Sequence, residues 1–154
     1  MRLFHSASPR QLDLGLTILR VTAGTIFAAH GAQKLFVFGF DGVAGGFAQM
    51  GVPLAGVVGP AIALLEFFGG LALIAGLLTR LVSLGLGATM IGAMVLVHLK
   101  AGFFMPNGYE FVLTLFGIAM TLVATGAGNF SLDALIARRA PGRAEEVRPM
   151  RRAA

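Results

Sequence analysis

Four apolar stretches, each close to the length that crosses a bilayer, constrain this chain more than any other feature. A helical span needs about 20 residues. The first candidate runs from Leu12 to Phe36, the second from Leu54 to Leu78, the third from Leu81 to Ala101 and the fourth from Tyr109 to Thr125. Backbone groups inside hydrocarbon must bond to one another, so such segments fold as helices. The expected fold class is all-α, an integral membrane four-helix bundle. Composition agrees, since only 12% of the 154 residues are charged, about half the share of a soluble domain. A single domain over 12–136 is expected, with an N-terminal tail over 1–11 and a basic tail over 137–154 that is expected to be disordered.

Positive charge sets the orientation. Arg2 and Arg10 precede the first span, and Arg80 falls between the second and third. Arg138, Arg139, Arg143, Arg148, Arg151 and Arg152 follow the fourth. Lys34 and Lys100 lie near span ends on the opposite side, with Asp41 and Glu110 close by. The positive-inside rule then places both termini in the cytoplasm, with four spans. Leu12–Phe36 carries Arg20 and Lys34 and leads into another apolar segment, so it reads as a span and not as a cleaved signal. Beside four spans, the basic tail reads as contact with anionic lipid headgroups, and nucleic acid is not an expected partner.

The connections carry their own signals. Residues 36–54 are too apolar for a free loop: Asp41 is placed to cap a helix, Val43, Phe47 and Met50 recur at helical spacing, and Gly51 and Pro53 form a stop. A short interfacial or re-entrant helix after the first span is expected there. Residues 102–108 form a turn anchored by Phe103 and Phe104. Thr79-Arg80 reads as a very short link that makes the second and third helices an antiparallel hairpin. Gly126 and Gly128 end the fourth helix, and Ser131 is a good N-cap for a short basic helix through Arg139. Gly24, Gly31, Gly69, Gly70, Gly76, Gly85 and Gly92 suit close helix contact in lipid.

Single ionisable residues interrupt the apolar stretches, and they define the functional question. Each costs roughly 2.5–3.5 kcal/mol or more at a span centre, so each needs a partner, a cavity or a job. At ~1.5 Å per residue, Arg20 lies ~12 Å from the cytoplasmic end, Glu66 ~21 Å, His98 ~26 Å, His30 ~27 Å and Lys34 ~33 Å. Glu110 opens the fourth helix at the outer end. Glu66 is the natural neutraliser of either Lys34 or Arg20, and its depth leaves both open. Plainer readings stand beside these. Lys34, Lys100 and Arg20 can snorkel to an interface, His30 and His98 can bond to backbone carbonyls, and Glu110 can favour a helix dipole.

Arg20-Val-Thr-Ala-Gly24 followed by His30-Gly31-Ala-Gln-Lys34-Leu35 resembles the first-helix signature of the DoxX family. Glu66-Phe-Phe-Gly-Gly70, continuing through Gly76 to Thr79-Arg80, resembles its second helix. Glu110 and Gly126-Ala-Gly128-Asn-Phe-Ser131-Leu132-Asp133 continue the likeness, which covers residues 12–136. The resemblance implies a four-helix protein of the bacterial inner membrane. It also implies redox work, since some relatives resemble the small subunit of a thiosulfate:quinone oxidoreductase.

These residues support two functional expectations. In the first, the protein is a membrane subunit that interacts with quinone. Arg20, His30, Lys34 and His98 are then candidate substrate-binding residues, and Glu66 and Glu110 candidate catalytic residues that carry protons. The chain has no cysteine, which excludes thiolate clusters and dithiol chemistry of its own. Electrons would have to come from a protein partner or a bound cofactor. No covalent cofactor or metal site is expected. In the second, the protein is a non-enzymatic scaffold or assembly factor for a redox or stress-response complex, with the polar groups fixing helix register. A b-type haem between His30 and His98 is a disfavoured third reading. A homo-oligomer stays open.

Overall fold

Six helices account for most of the described residues of the computed structural model, 7–139, and no strand occurs among them. Helix α1 spans Pro9–Ala32. It begins ahead of the expected Leu12 because Ser8 and Gln11 form a reciprocal capping box, with Pro9 at the first helical position. Proline lacks an N–H there, where none could be satisfied within the helix. A π-helical turn over Gln33–Phe38 leads from α1 into α2, Gly39–Gln49, and Gly39 takes the bend at φ +66°. A short helix is therefore present where the Val43, Phe47, Met50 spacing predicts one, with Val43 buried against Gly59, but Asp41 lies inside its first turn and does not cap it, since the cap position is Phe38 and carries no side-chain bond.

Helix α3 spans Ala55–Ala75 and α4 Thr79–Ala93. A second π-helical turn, Met94–His98, and a 3-10 turn, Leu99–Ala101, extend α4. Helix α5 spans Glu110–Thr125 and α6 Leu132–Arg139. Ser131 caps α6 as expected, its hydroxyl accepting from the Ala134 N–H at 3.2 Å. The expected disorder of the tail falls mostly beyond Arg139, outside the described residues.

Among the described residues, three helical segments are long and apolar enough to cross a membrane: Pro9–Gln49, Ala55–Ala75 and Thr79–Ala101. Helix α5 is apolar but has only 16 residues. Leu14, Ile18, Leu64, Phe68, Leu84, Ile91 and Leu113 all face outward. Water would penalise such a surface, whereas acyl chains match it.

The most extensive helix contact is between α1 and α3. A Cβ at Gly24 would lie 2.7 Å from the Gly70 carbonyl, and one at Gly31 only 2.2 Å from the Phe67 nitrogen. Backbones meet at both levels, which is what small residues permit in lipid. Helix α4 packs on α5, and α2 lies on α3. Ala23, Phe27, Leu73, Leu86, Met90, Val112, Leu115 and Leu122 form the core. Gly92 departs from the expected pattern, since a Cβ there would meet nothing within 4 Å.

The α3–α4 link is Gly76-Leu77-Leu78, and Thr79 already belongs to α4, so the link precedes the expected Thr79-Arg80. Gly76 and Leu78 are both left-handed, at φ +69° and +49°. For a leucine that conformation costs about 1–2 kcal/mol. The Asp133 carboxylate holds it in place by accepting from the Leu78 N–H at 2.7 Å and the Thr79 N–H at 2.9 Å.

Candidate functional site

Both π-helical turns deliver a site residue. Lys34 lies in the turn after α1, and His98 closes the turn after α4. A π turn inserts an extra residue and rotates the remainder of the helix about its axis, a device found often at functional sites. Neither turn is expected from the sequence, because hydrophobic periodicity does not distinguish a five-residue from a four-residue hydrogen bond.

The tight α1–α3 contact at Gly31 brings Glu66 across from Lys34. The Lys34 ammonium donates to Glu66 Oε2 in a salt bridge, so of the two cations that depth left open Glu66 takes Lys34. Glu66 is 5% exposed, and the lysine side chain retains 20% exposure. Glutamate at this depth cannot reach an interface, so pairing is what makes its charge tolerable.

Two cavities meet at this pair. The larger, about 630 Å³, is walled by Phe47 of α2 and the adjoining Met50, by α3 (Ile62, Leu65), by α4 (Ala88, Thr89) and by the 94–98 turn, with Lys34, Glu66 and His98 on its lining. Those three are its only ionisable residues. The smaller, about 230 Å³, is also lined by Lys34, Glu66 and His98, together with His30, Phe111 and the 105–108 loop. The His30 and Phe111 rings stand 6.3 Å apart.

His98 Nδ1 lies 2.8 Å from the Asn107 carbonyl oxygen. A carbonyl only accepts, so Nδ1 carries the proton and Nε2 of the neutral ring is the acceptor. Glu110 lines neither cavity. Its carboxylate accepts from the Met105 N–H at 2.7 Å and so braces the 105–108 loop.

Arg20 is placed elsewhere. It is 2% exposed and lies at the opposite end of the molecule from Lys34, where Nη2 donates to the Phe130 carbonyl at 2.6 Å. Its Nε and Nη1 have no hydrogen-bond partner among the described residues. Nearby, both carboxylate oxygens of Asp13 accept from Asn129, each at 2.9 Å. The structure thus brings His30, Lys34, Glu66 and His98 together and leaves Arg20 and Glu110 outside the cavities. No group of three or more His, Cys, Asp or Glu among the described residues is placed to hold a metal ion.

Fold and site together define a small all-helical membrane protein with an ion pair buried beside an apolar cavity. The chain belongs to the DoxX family, whose model matches residues 15–99. A second model, described as TQO small subunit DoxD, matches residues 58–147. Among similar proteins, "Putative oxidoreductase CatD" of Bacillus subtilis is 33% identical over 82% of this chain and 90% of its own length. "Inner membrane protein YqjF" of Escherichia coli is 32% identical over 80% of this chain and 93% of its own. "Uncharacterized membrane protein Rv3486" of Mycobacterium tuberculosis is 29% identical over 90% and 89%. No solved structure matches the chain.

Proposed function

We propose that the protein is the membrane subunit of a redox system and that its larger cavity receives the ring of a quinone. The observation that carries this reading is the Lys34–Glu66 pair at the wall of a cavity of about 630 Å³ whose only other polar side chains are His98 and Thr89. A quinone is a flat apolar ring with carbonyl oxygens that need donors and, on reduction, protons. Apolar walls suit the ring. Lys34 is the donor to one carbonyl, and Glu66, released from its pair, is the proton donor or acceptor beside it. His98, its Nδ1 held by Asn107, offers Nε2 as a second proton station. Conversion of a quinone to a quinol takes two electrons and two protons. With no cysteine in the chain, the electrons come from a partner protein or a bound cofactor. The name of the Bacillus subtilis relative supports the redox class.

In this reading the chain spans the inner membrane four times. Helix α5 covers about 24 Å, and Tyr109 with Phe103 and Phe104 anchors its outer end. Both termini are cytoplasmic. Helix α2 lies at the outer interface and covers the cavity through Phe47 and the adjoining Met50.

The test is binding of a short-chain benzoquinone to purified protein, alone and co-purified with its partners. At about one hundred times Kd, ligand should stabilise the fold by about 2.7 kcal/mol. Glu66→Gln should weaken binding about tenfold, equivalent to about 1.4 kcal/mol. An unshifted melting curve in both preparations would refute the quinone reading.

A second reading, a non-enzymatic scaffold, is favoured by the other polar cluster. Arg20, Asp13 and Asp133 tie α1, α4 and the 128–133 segment together without lining either cavity. Replacing Lys34 and Glu66 together by neutral residues would preserve function under this reading and abolish it under the first.

A further inference from the structure

The lining of the larger cavity is rich in hydrogen-bond acceptors and poor in donors. Its polar side chains are Lys34, Glu66, Thr89 and His98. Two of them have already spent their protons. Thr89 Oγ1 donates to the Leu86 carbonyl at 2.7 Å, and the proton on His98 Nδ1 goes to Asn107. What they keep for a ligand is a hydroxyl lone pair and the Nε2 lone pair of a neutral imidazole. The Glu66 carboxylate only accepts: Oε2 takes Lys34, and the second oxygen is left for a further donor. Backbone adds no donor. The Met50, Val52 and Val58 N–H groups bond to Gly46, Phe47 and Leu54, and the other lining residues lie within helical segments, where N–H groups are spent on preceding carbonyls. Lys34 is the single donor group, with one N–H given to Glu66 and the others free.

We infer that this cavity selects the redox state of its ligand and holds a benzoquinol more tightly than the corresponding benzoquinone. The inference rests on the quinone reading and deepens it by naming the form of the ring that the walls fit.

The two forms share a flat apolar ring and differ at their oxygens. Quinone oxygens only accept, whereas each quinol hydroxyl both accepts and donates. Lys34 serves one oxygen in either form, so the difference arises at the other oxygen and at Glu66. Thr89 lies on α4 and His98 at the end of its extension, ~13 Å apart in helical rise. Whichever end the second oxygen points to, an acceptor stands there. A quinone sets acceptor against acceptor, and both stay unpaired. A quinol donates to that acceptor, while its other hydroxyl accepts from Lys34 and donates to the free Glu66 oxygen. A site discriminates strongly against an analogue that leaves its buried polar groups without partners.

The test is titration of the purified protein in detergent with a short-chain benzoquinone and, under argon, with its benzoquinol, each corrected for its partition into the micelle. No thiol in the chain can add to the quinone. The quinol Kd should lie about tenfold below the quinone Kd, the factor expected for one unpaired acceptor. Thr89→Val removes one acceptor from the wall and His98→Leu the other. Each should lower the quinone-to-quinol Kd ratio, and the two together should bring it to about one. A role in packing alone would change both affinities alike and leave the ratio where it was.

Equal affinities in the unmodified protein, or a tighter quinone, would overturn the inference and leave the quinone reading standing. A ratio that the double variant does not alter would overturn it as well. Binding of neither form would remove the quinone reading and this inference with it. The comparison on the unmodified protein decides the matter even if a variant fails to fold.

Discussion

The molecule buries charge at both ends and treats it in opposite ways. At the end that holds Arg20, every neighbour is pressed close: a Cβ at Gly76 would fall 1.6 Å from Arg20 Nη1 and 2.5 Å from Ser131 Cβ. At the end that holds Glu66, the charged pair faces two cavities. A bilayer imposes a comparable desolvation cost at either place. The first cluster meets it with one backbone carbonyl, that of Phe130, inside packing that fixes geometry and leaves little space for a ligand. The second meets it with a single cation and keeps space free. Burial of charge alone therefore does not mark a site; burial beside a cavity does.

The sharpest way to break this contrast is Gly76→Ala. The added methyl meets the Arg20 guanidinium, and the left-handed backbone disfavours any side chain, so stability should fall by about 3 kcal/mol or more. Unfolding in detergent measures it. A mild effect would show that the packed end is looser than its geometry implies. Arg20→Met comes next. It removes the bond to Phe130 and should cost about 2–3 kcal/mol, with benzoquinone affinity of the folded fraction unchanged. A drop in affinity would return Arg20 to the binding site.

Glu66→Gln should reverse that pattern. Lys34 remains part-exposed and can turn toward the interface, so the stability loss should stay near 1 kcal/mol while binding suffers. Should stability collapse and binding survive, the two ends would have to exchange roles. The smallest effect belongs to Gly92→Ala. Its Cβ meets nothing within 4 Å, so helix propensity should stabilise α4 by about 0.5–1 kcal/mol. A loss of stability there would mean that the larger cavity is narrower than about 630 Å³.

Much of the fold is legible along the chain. The apolar stretches mark the helices and Ser131 marks the start of α6, whereas hydropathy places the first start at Leu12 and misses the Ser8–Gln11 capping box that begins α1 earlier. His30, Lys34, Glu66 and His98 stand out because hydrocarbon is hostile to each of them. Their separation from Arg20 and Glu110 is less visible. Helical depth is a one-dimensional ruler and cannot say which faces turn toward each other. The role of Glu110 depends on a bond to Met105 across a loop, a contact that no periodicity encodes. The two π turns are invisible because one residue of slippage hardly alters an apolar pattern.

The sequence by itself determined that the chain is helical and belongs in a membrane, and which few side chains had to find partners there, because transfer free energy depends on residue type and length alone. Only the tertiary structure decided that Glu66 pairs with Lys34 and that space remains beside that pair but not beside Arg20. Those outcomes depend on how closely glycine lets two backbones approach and on where a helix slips its register, and both are properties of surfaces in contact.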